Sequence, residues 1–422
     1  MPPAATTRGL DSGTVAEVRV AQAWFWDGYY VRRGVDLQHR FGSEISTVTD
    51  LDVVGYTFDE SLTVHKHIGE VKTGTAKNTP RPLDRALWMR GLRELVDAER
   101  GEVTTAFKSS SSVRDACRSL GVTVQHLDDL DAREARLRMN QVDDLGSQGT
   151  TIALLRKEIQ SFVKADSTLE RGYWFLVSEV WFLEPFDALK RTLGLIREVG
   201  KIWPPEAHQQ ATVAMRWFFA EALSVVALNL AIIAGEANSM DSATFQETAM
   251  ARLASGDVPF HAIRALSDRV DEYVGKILSS LDAPPEVRVS AMGAFLPVPP
   301  EYAEPLLELI SRLASEAKAT SRLPRQIDAV VFERLVRRRD LSPALRSRLA
   351  IGHSTERQIR LVAAFLRGQF ALPTAVDKVL TTPLVDDAEG RSGSDPQAAL
   401  FSSESSISTN KSPSSATMPK VD

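Results

Sequence analysis

Four ionisable residues stand at spacings that suit the binding of a divalent cation. Asp50 and Asp52 are two positions apart in one apolar stretch, and Glu70 and Lys72 are two apart in the next. Residues two apart on a β-strand point to the same face. If the two stretches pair, three carboxylates and one ammonium converge. Carboxylates held so close repel one another, and a divalent cation relieves this because it coordinates hard oxygen donors.

Both stretches have the composition of β-strands. They are rich in Val, Ile and Tyr, and the polar segment Asp59–Ser61 between them is typical of a turn. The pattern therefore predicts a hairpin. His65 and His67 share a face of its second strand, but no further nitrogen or sulfur ligand stands nearby, which favours packing over metal binding for this pair.

The pattern acid-x-Lys is not specific by itself. It occurs twice, at Glu70 and at Glu316, about as often as the composition predicts. Glu316 and Lys318 lie in a helical pattern, where residues two apart face roughly opposite sides, whereas Glu70 and Lys72 end an apolar strand. Only the latter pair can build a site. The alternative is an exposed hairpin with cross-strand ion pairs.

The elements around the hairpin are predicted in the order helix, three strands, helix, strand, helix, strand. After a flexible leader (residues 1–11), a helix capped at Ser12 carries Glu17 beside its apolar face. A strand and the hairpin follow, and an amphipathic helix then crosses back to the fourth strand. We expect residues 12–135 to form an α/β domain that folds by itself.

The residues Asp52, Glu70 and Lys72, following a leading helix, resemble the motif of the PD-(D/E)XK nuclease superfamily. Asp50 stands where several subfamilies place another acid, and Glu17 where some members keep a carboxylate on the first helix. The proline that precedes the aspartate in the motif is missing here, as it is in many active members. The resemblance covers roughly residues 12–130.

This resemblance implies a restriction endonuclease-like fold with a mixed central sheet flanked by helices. It further implies a Mg²⁺-dependent endonuclease, with Mn²⁺ as a substitute, that hydrolyses phosphodiester bonds of nucleic acid, DNA being favoured over RNA. Asp52, Glu70 and Lys72 would be catalytic, and Asp50, Asp52, Glu70 and Glu17 would hold the metal. Restriction, phage defence and DNA repair are the roles implied. The alternative is an inactive module of the same fold that binds nucleic acid or protein.

Two basic regions are candidates for phosphate contacts. Residues 72–118 hold ten basic and six acidic side chains, with Arg81 and Arg85 ahead of most of the acids. Residues 322–367 hold 11 arginines and four acids, including Arg337, Arg338 and Arg339. Both regions suit nucleic-acid binding. The alternatives are an ordinary charged helix surface and contacts with acidic groups of the same protein.

The rest of the chain is predicted to be helical. Residues 136–150 form a linker, residues 151–384 an all-α domain through which the chain could form homo-oligomers or bind a separate protein partner, and residues 385–422, with ten serines, a disordered tail. Ala222–Gly235 is uncharged but too short for a membrane span, which predicts a buried helix and no membrane. A single cysteine, Cys117, and the lack of an apolar signal core favour the cytoplasm. The net charge of −5 leaves only local patches to attract nucleic acid.

Overall fold

A computed structural model describes residues 9–41, 44–74, 80–141, 144–203, 209–256, 260–281, 297–370 and 372–384. The N-terminal region has the predicted order of elements, which is thereby confirmed. These elements are α1 (Ser12–Trp26), β1 (Tyr30–Phe41), β2 (Glu44–Phe58), β3 (Val64–Lys72), α2 (Pro82–Leu95), β4 (Arg100–Thr105), α3 (Ser111–Ser119), β5 (Val122–His126) and α4 (Leu127–Arg136).

The five strands form one mixed sheet in the order β1-β2-β3-β4-β5. The first three strands are antiparallel neighbours, and β3, β4 and β5 are parallel. Parallel neighbours need a crossover connection, which α2 and α3 supply between β3 and β4 and between β4 and β5. The predicted mixed sheet with flanking helices is therefore confirmed.

Helix α1 packs closely against the centre of the sheet. It is capped by Asp11 rather than by the predicted Ser12, because the Asp11 carboxylate accepts a hydrogen bond from the backbone N–H of Thr14 at 2.9 Å. On its buried face, Trp24 lies over Gly55 of β2. A Cβ atom at Gly55 would stand 2.8 Å from the Trp24 ring, so only glycine permits this approach.

The region after α4 is helical, as predicted. Its longer helices are α5 (Thr150–Val163), α6 (Ser167–Val177), α7 (Pro185–Lys201), α8 (Gln209–Ser239), α9 (Ser242–Ala254) and α10 (Phe260–Ser280). Further helices span Ala303–Ala314, Leu323–Val331 and His353–Gln369, with shorter segments between them, including a π-helical turn at Phe332–Val336. This part of the chain is consistent with an all-α architecture.

Helix α8 is the centre of the helical region. It contacts α7 and the helices Ala303–Ala314 and Leu323–Val331. Its segment Val213–Ser239 is long and apolar enough to cross a membrane by length and composition, yet 89% of the most apolar part of that segment is buried inside the protein. The prediction of a buried helix at Ala222–Gly235 is confirmed.

The helical region and the sheet share a buried boundary. Arg32 of β1 forms ion pairs with Glu221 of α8 at 2.8 Å and with Asp328 at 2.7 Å, and all three side chains are buried. The Trp181 ring lies 6.2 Å from the rings of both Tyr30 and Tyr56, on β1 and β2. Residues 1–382 accordingly form one compact unit.

The tip of the β2–β3 hairpin also contacts the helical region. Leu62, at the tip, has a positive φ of 69° and is 1% exposed. Its carbonyl oxygen lies so close to Gly235 of α8 that a Cβ atom at Gly235 would stand 2.4 Å away. The hairpin is therefore held at its tip by backbone-to-backbone packing.

The predicted linker (residues 136–150) is packed where the structure describes it. The buried Gln148 side chain donates to the carbonyl oxygen of Val31 at 2.7 Å, and the Gly146 N–H donates to Glu333 at 2.9 Å. The boundary between residues 135 and 151 stays a prediction. Of the second compact unit, which begins at Pro383, only Pro383 and Leu384 are described. The predicted tail at residues 385–422 and positions 1–8 of the predicted leader lie outside the described residues.

Candidate active site

Asp52 and Glu70 come together where the pairing of β2 and β3 ends. The register joins Val53 to Gly69, and Asp52 and Glu70 are the next residue on each strand. Each is 4% exposed. Asp52 Oδ2 accepts a hydrogen bond from the backbone N–H of Val71 at 2.6 Å, which fixes this carboxylate against the neighbouring strand.

Lys72 joins the two carboxylates. Its Nζ atom lies 2.6 Å from Oε1 of Glu70 and 3.4 Å from Oδ2 of Asp52. Arg85 of α2 adds a second positive charge, with Nη1 3.6 Å from the same Glu70 oxygen and the guanidinium 5.1 Å from the centroid of the Trp88 ring. The two acids are thus balanced by two bases, and of the three carboxylates predicted to converge with Lys72, Asp52 and Glu70 contact it.

Burial governs the ionisation of this cluster. It raises the pKa of Asp52, although Lys72 and the Val71 N–H oppose the shift. It also raises the pKa of Glu70, and the negative charge of Asp52 adds to that increase. Burial alone would lower the pKa of Lys72, but the hydrogen bond to Glu70 and the two carboxylate charges outweigh it, so that this pKa is raised. Lys72 therefore stays an ammonium at neutral pH.

Glu17 and Asp50 lie at the margin of the cluster. Glu17 of α1 pairs with Arg33 of β1 at 3.1 Å. Burial and the charge of Asp52 raise the pKa of Glu17, so its carboxylate lies within the field of the cluster. Asp50 is exposed and is the cross-strand partner of Asp36 on the neighbouring strand β1. Both residues influence Asp52 through charge.

The side chains available as metal ligands limit which cation this cluster could bind. Among the described residues, no group of three or more His, Cys, Asp or Glu side chains is arranged to hold a metal ion on its own. Two buried carboxylates fit Mg²⁺, because this ion often takes one or two protein carboxylates and completes its shell with water and substrate phosphates. His65 and His67 do not take part, since His65 pairs with Glu99 and His67 contacts Tyr29.

The first predicted phosphate-binding pair lies beside this cluster. Arg81 is exposed where α2 begins. Arg85 is half-buried and shares Glu70 with Lys72. Arg81 is thus free to meet a polyanion from solvent, whereas Arg85 first has to release a carboxylate.

The second predicted group, Arg337 to Arg339, is partly used inside the protein. Arg337 pairs with the buried Glu333 at 3.1 Å and donates to the carbonyl oxygen of Asp144. Arg339 also pairs with Glu333. Only Arg338, with a positive φ of 56°, is exposed. For Arg337 and Arg339 this favours the alternative of contacts with acidic groups of the same protein.

Two further arginines escaped the sequence analysis. Arg32 and Arg33 are adjacent on β1 and therefore point to opposite faces of the sheet. The Arg32 side chain is buried at the boundary with the helical region, where it pairs with Glu221, and Arg33 forms an ion pair with Glu17. The available signal was the presence of two cations within an apolar strand, which requires buried carboxylate partners.

Comparisons with protein-family models, curated proteins and solved structures gave no significant match. The class of the site therefore rests on its own residues. It consists of two buried carboxylates on antiparallel strands and a lysine two residues after the second acid. An arginine from the crossover helix completes the charge balance.

Proposed function

We propose that this chain is a Mg²⁺-dependent nuclease of the PD-(D/E)XK type that hydrolyses phosphodiester bonds in nucleic acid. The observation that carries the proposal is the contact of the Lys72 ammonium with both Glu70 and Asp52, at 2.6 and 3.4 Å, beside a buried carboxylate pair. A buried pair of acids with one lysine has the groups needed to bind a hard cation and to stabilise charge on a phosphate.

Asp52 and Glu70 would hold the cation, with help from the backbone of Val71. When bound, Mg²⁺ supplies positive charge that offsets the charge developing on the phosphate. Mn²⁺ can take the same oxygen ligands. Asp50 and Glu17 belong to the proposed metal site as neighbouring acids that increase its negative potential.

Lys72 acts as a donor in this proposal. Burial opposes the charge of Lys72, but in the cation-free cluster the hydrogen bond to Glu70 and the charges of Asp52 and Glu70 raise its pKa, so that it carries its proton there. Its ammonium would orient the attacking water and stabilise a phosphate oxygen. The water oxygen bonds to phosphorus as the bond from phosphorus to the leaving sugar oxygen breaks, and one proton of the water passes through solvent to that leaving oxygen.

Lys72 and Arg85 can pair either with the carboxylates of the cluster or with the phosphates of a substrate. Without a cation they neutralise Glu70 and Asp52. If Asp52 and Glu70 held a cation, Lys72 and Arg85 would be able to contact the phosphates of a substrate. The site would then gain affinity for phosphate only when the cation is bound.

DNA is the favoured substrate, on the basis of the motif resemblance, and RNA is the second one to test. Restriction, phage defence or DNA repair would be the setting, in the cytoplasm. A second candidate is an inactive module that binds nucleic acid or protein. The intact Lys72, in contact with both Glu70 and Asp52, argues against this candidate.

The decisive experiment measures cleavage of end-labelled single- and double-stranded DNA and RNA with Mg²⁺, with Mn²⁺ and with a chelator. We expect the parent protein to cut at least one substrate with either metal. Lys72→Ala should reduce the rate on the order of 100-fold or more, because one charge-stabilising group is lost. Lys318→Ala is the matched control, since Lys318 belongs to the other acid-x-Lys pattern and is exposed.

Cleavage that survives in Lys72→Ala at the parent rate would exclude this cluster as the active site. Metal-independent binding of nucleic acid, without cleavage of any of the four substrates, would establish the inactive module instead.

A further inference from the structure

A cavity of about 520 Å³ lies at the boundary between the hairpin and the helical region, and its lining includes neither Asp52 nor Glu70. Its floor is formed by β2 and β3, and its opposite wall by α8 and the segment that leads into α7. This volume is in the range of pockets that hold small organic molecules.

Two hydrogen-bond donors stand side by side on the floor. Tyr56 and Lys66 are direct cross-strand partners in the antiparallel register. The Lys66 Nζ atom donates to the carbonyl oxygen of Trp181 at 3.0 Å, which uses one of its three donors. Tyr56 lines the cavity and is 7% exposed, and no hydrogen bond of its hydroxyl to another described residue is found. An acceptor group placed here would satisfy both side chains.

The remaining walls are mostly apolar. The Lys66 ammonium lies 5.3 Å from the centroid of the Phe182 ring and 5.8 Å from that of Tyr56. On the α8 side the wall consists of Val225, Leu228 and Ile232. Among the described residues no carboxylate forms an ion pair with Lys66, and burial lowers the pKa of Lys66 to about 8 although the charge of Asp97 opposes the shift. A bound anion would restore the lost electrostatic partner.

Acidic side chains at the rim of the cavity restrict the charge of a ligand that can bind there. Asp97 and Glu99 are exposed and line the cavity, as does Glu184. Glu99 is paired with His65 and Glu184 with Arg252, which leaves Asp97 as the acid closest in effect to Lys66. Polyphosphates would meet this negative rim, whereas a single carboxylate on an apolar body would not be strongly repelled.

We propose that this cavity binds a small monocarboxylic acid, whose carboxylate accepts hydrogen bonds from Lys66 and Tyr56 and whose apolar body packs against Phe182, Val225 and Leu228. The site is separate from the proposed nuclease cluster. Ligand binding would add contacts between the hairpin and α8, so the folded protein should become more stable when the cavity is filled.

The test uses three acids of increasing size, namely octanoate, 3-phenylpropionate and 2-naphthylacetate, each beside its uncharged amide. Binding to the full-length protein is measured by calorimetry and by the shift in melting temperature at neutral pH. We expect at least one acid to bind tenfold or more tightly than its amide. If none of the acids raises the melting temperature at millimolar concentration, or if acid and amide bind equally, the proposal is wrong.

Two variants test whether Lys66 and Tyr56 contact the carboxylate of the ligand. Lys66→Met keeps the aliphatic stem and removes the charge, and it should lower the affinity for the acid at least tenfold while that for the amide changes little. Tyr56→Phe removes only the hydroxyl and should lower acid affinity severalfold. Lys318→Met, outside the cavity, should leave both affinities unchanged. Unaltered acid binding by a folded Lys66→Met protein would overturn the assignment of Lys66.

Discussion

Asp52, Glu70 and Lys72 have separable duties, although they share the same ion pairs. In the proposed metal site the two acids would provide oxygen ligands, whereas the ammonium of the lysine cannot be a metal ligand. Replacing an acid would therefore remove a proposed metal ligand as well as an ion-pair partner. Replacing the lysine leaves both potential ligands in place and exposes their repulsion.

Metal binding tests this division without any cleavage assay. In the parent protein Mg²⁺ should raise the melting temperature, because it relieves the repulsion between Asp52 and Glu70. Asp52→Asn and Glu70→Gln should lose most of this increase. Lys72→Met should keep it or enlarge it, since the cation then replaces the missing ammonium. An unchanged Mg²⁺ effect in Asp52→Asn would show that the ion binds elsewhere.

Lys66 gives the protein a specific dependence on pH. Its pKa is lowered to about 8 in the folded state, against 10.5 in the unfolded chain. Between these values the unfolded chain binds more protons, so stability rises with pH in this window, and below pH 8 the burial of the ammonium is fully unfavourable. Each pKa unit corresponds to about 1.4 kcal/mol.

At pH 7 the free energy of unfolding of Lys66→Met should therefore be larger than that of the parent. The gain is reduced by the contribution of the lost hydrogen bond to Trp181. The difference should shrink as pH rises from 8 and become constant above about 10.5, where its pH-dependent part has disappeared. Urea unfolding of both proteins at several pH values measures it. With Lys318→Met as the control, the difference from the parent should be small and constant, and a constant difference for Lys66→Met would contradict the lowered pKa.

The basic segment Arg337 to Arg339 combines structural and exposed side chains on one turn. Arg337 and Arg339 share the buried Glu333, which keeps almost no contact with water. Losing either arginine leaves that carboxylate short of positive charge, so a stability loss is expected. Arg338 has no such duty in the described structure and is the member suited to meet a phosphate.

Single substitutions should separate these roles. Arg338→Ala should weaken nucleic-acid binding and reduce the salt slope by about 0.7 to 0.9, without a change in melting temperature. Arg337→Ala should lower the melting temperature instead. Affinity and salt slope that match those of the parent in Arg338→Ala would remove this segment from nucleic-acid binding.

Local patterns were enough to predict the elements of the sheet. Alternating apolar residues and the Asp59–Ser61 turn define the β2–β3 hairpin, and residues two apart on those strands do meet at Asp52, Glu70 and Lys72. Long-range contacts were not predictable in this way. The partners of Arg32 come from α8 and the helix Leu323–Val331, and no periodicity in β1 points to them. The cavity beside Lys66 depends on the same unpredicted packing.

The protein is held together across the boundary between sheet and helices. The sequence predicts that residues 12–135 fold alone, but in the structure Arg32, Tyr30, Tyr56 and Leu62 all find partners in the helical region. A separated N-terminal region would expose a charge and three large side chains that are buried in the whole chain. The two regions are therefore energetically coupled.

The loss of stability on breaking the ion pairs of Arg32 measures this coupling. Arg32→Ala should destabilise the protein by about 3–5 kcal/mol, because Glu221 and Asp328 are then left buried without their positive partner. Arg312→Ala, which breaks the exposed pair with Glu308, should change stability by less than about 1 kcal/mol. Chemical unfolding compares the two variants. Equal and small losses would show that the boundary contributes little to stability.

The packing of Leu62 against Gly235 has a consequence for biosynthesis. A ribosome delivers the hairpin well before α8, so the tip of the hairpin stays uncovered while the intervening helices are made. The hairpin below the candidate active site consequently gains the contact of Leu62 with Gly235 only after residues up to the end of α8 have been made. Until then Leu62 and the face of β1 that carries Arg32 lack the partners that bury them in the folded chain, so a rigid hairpin cannot form before that point.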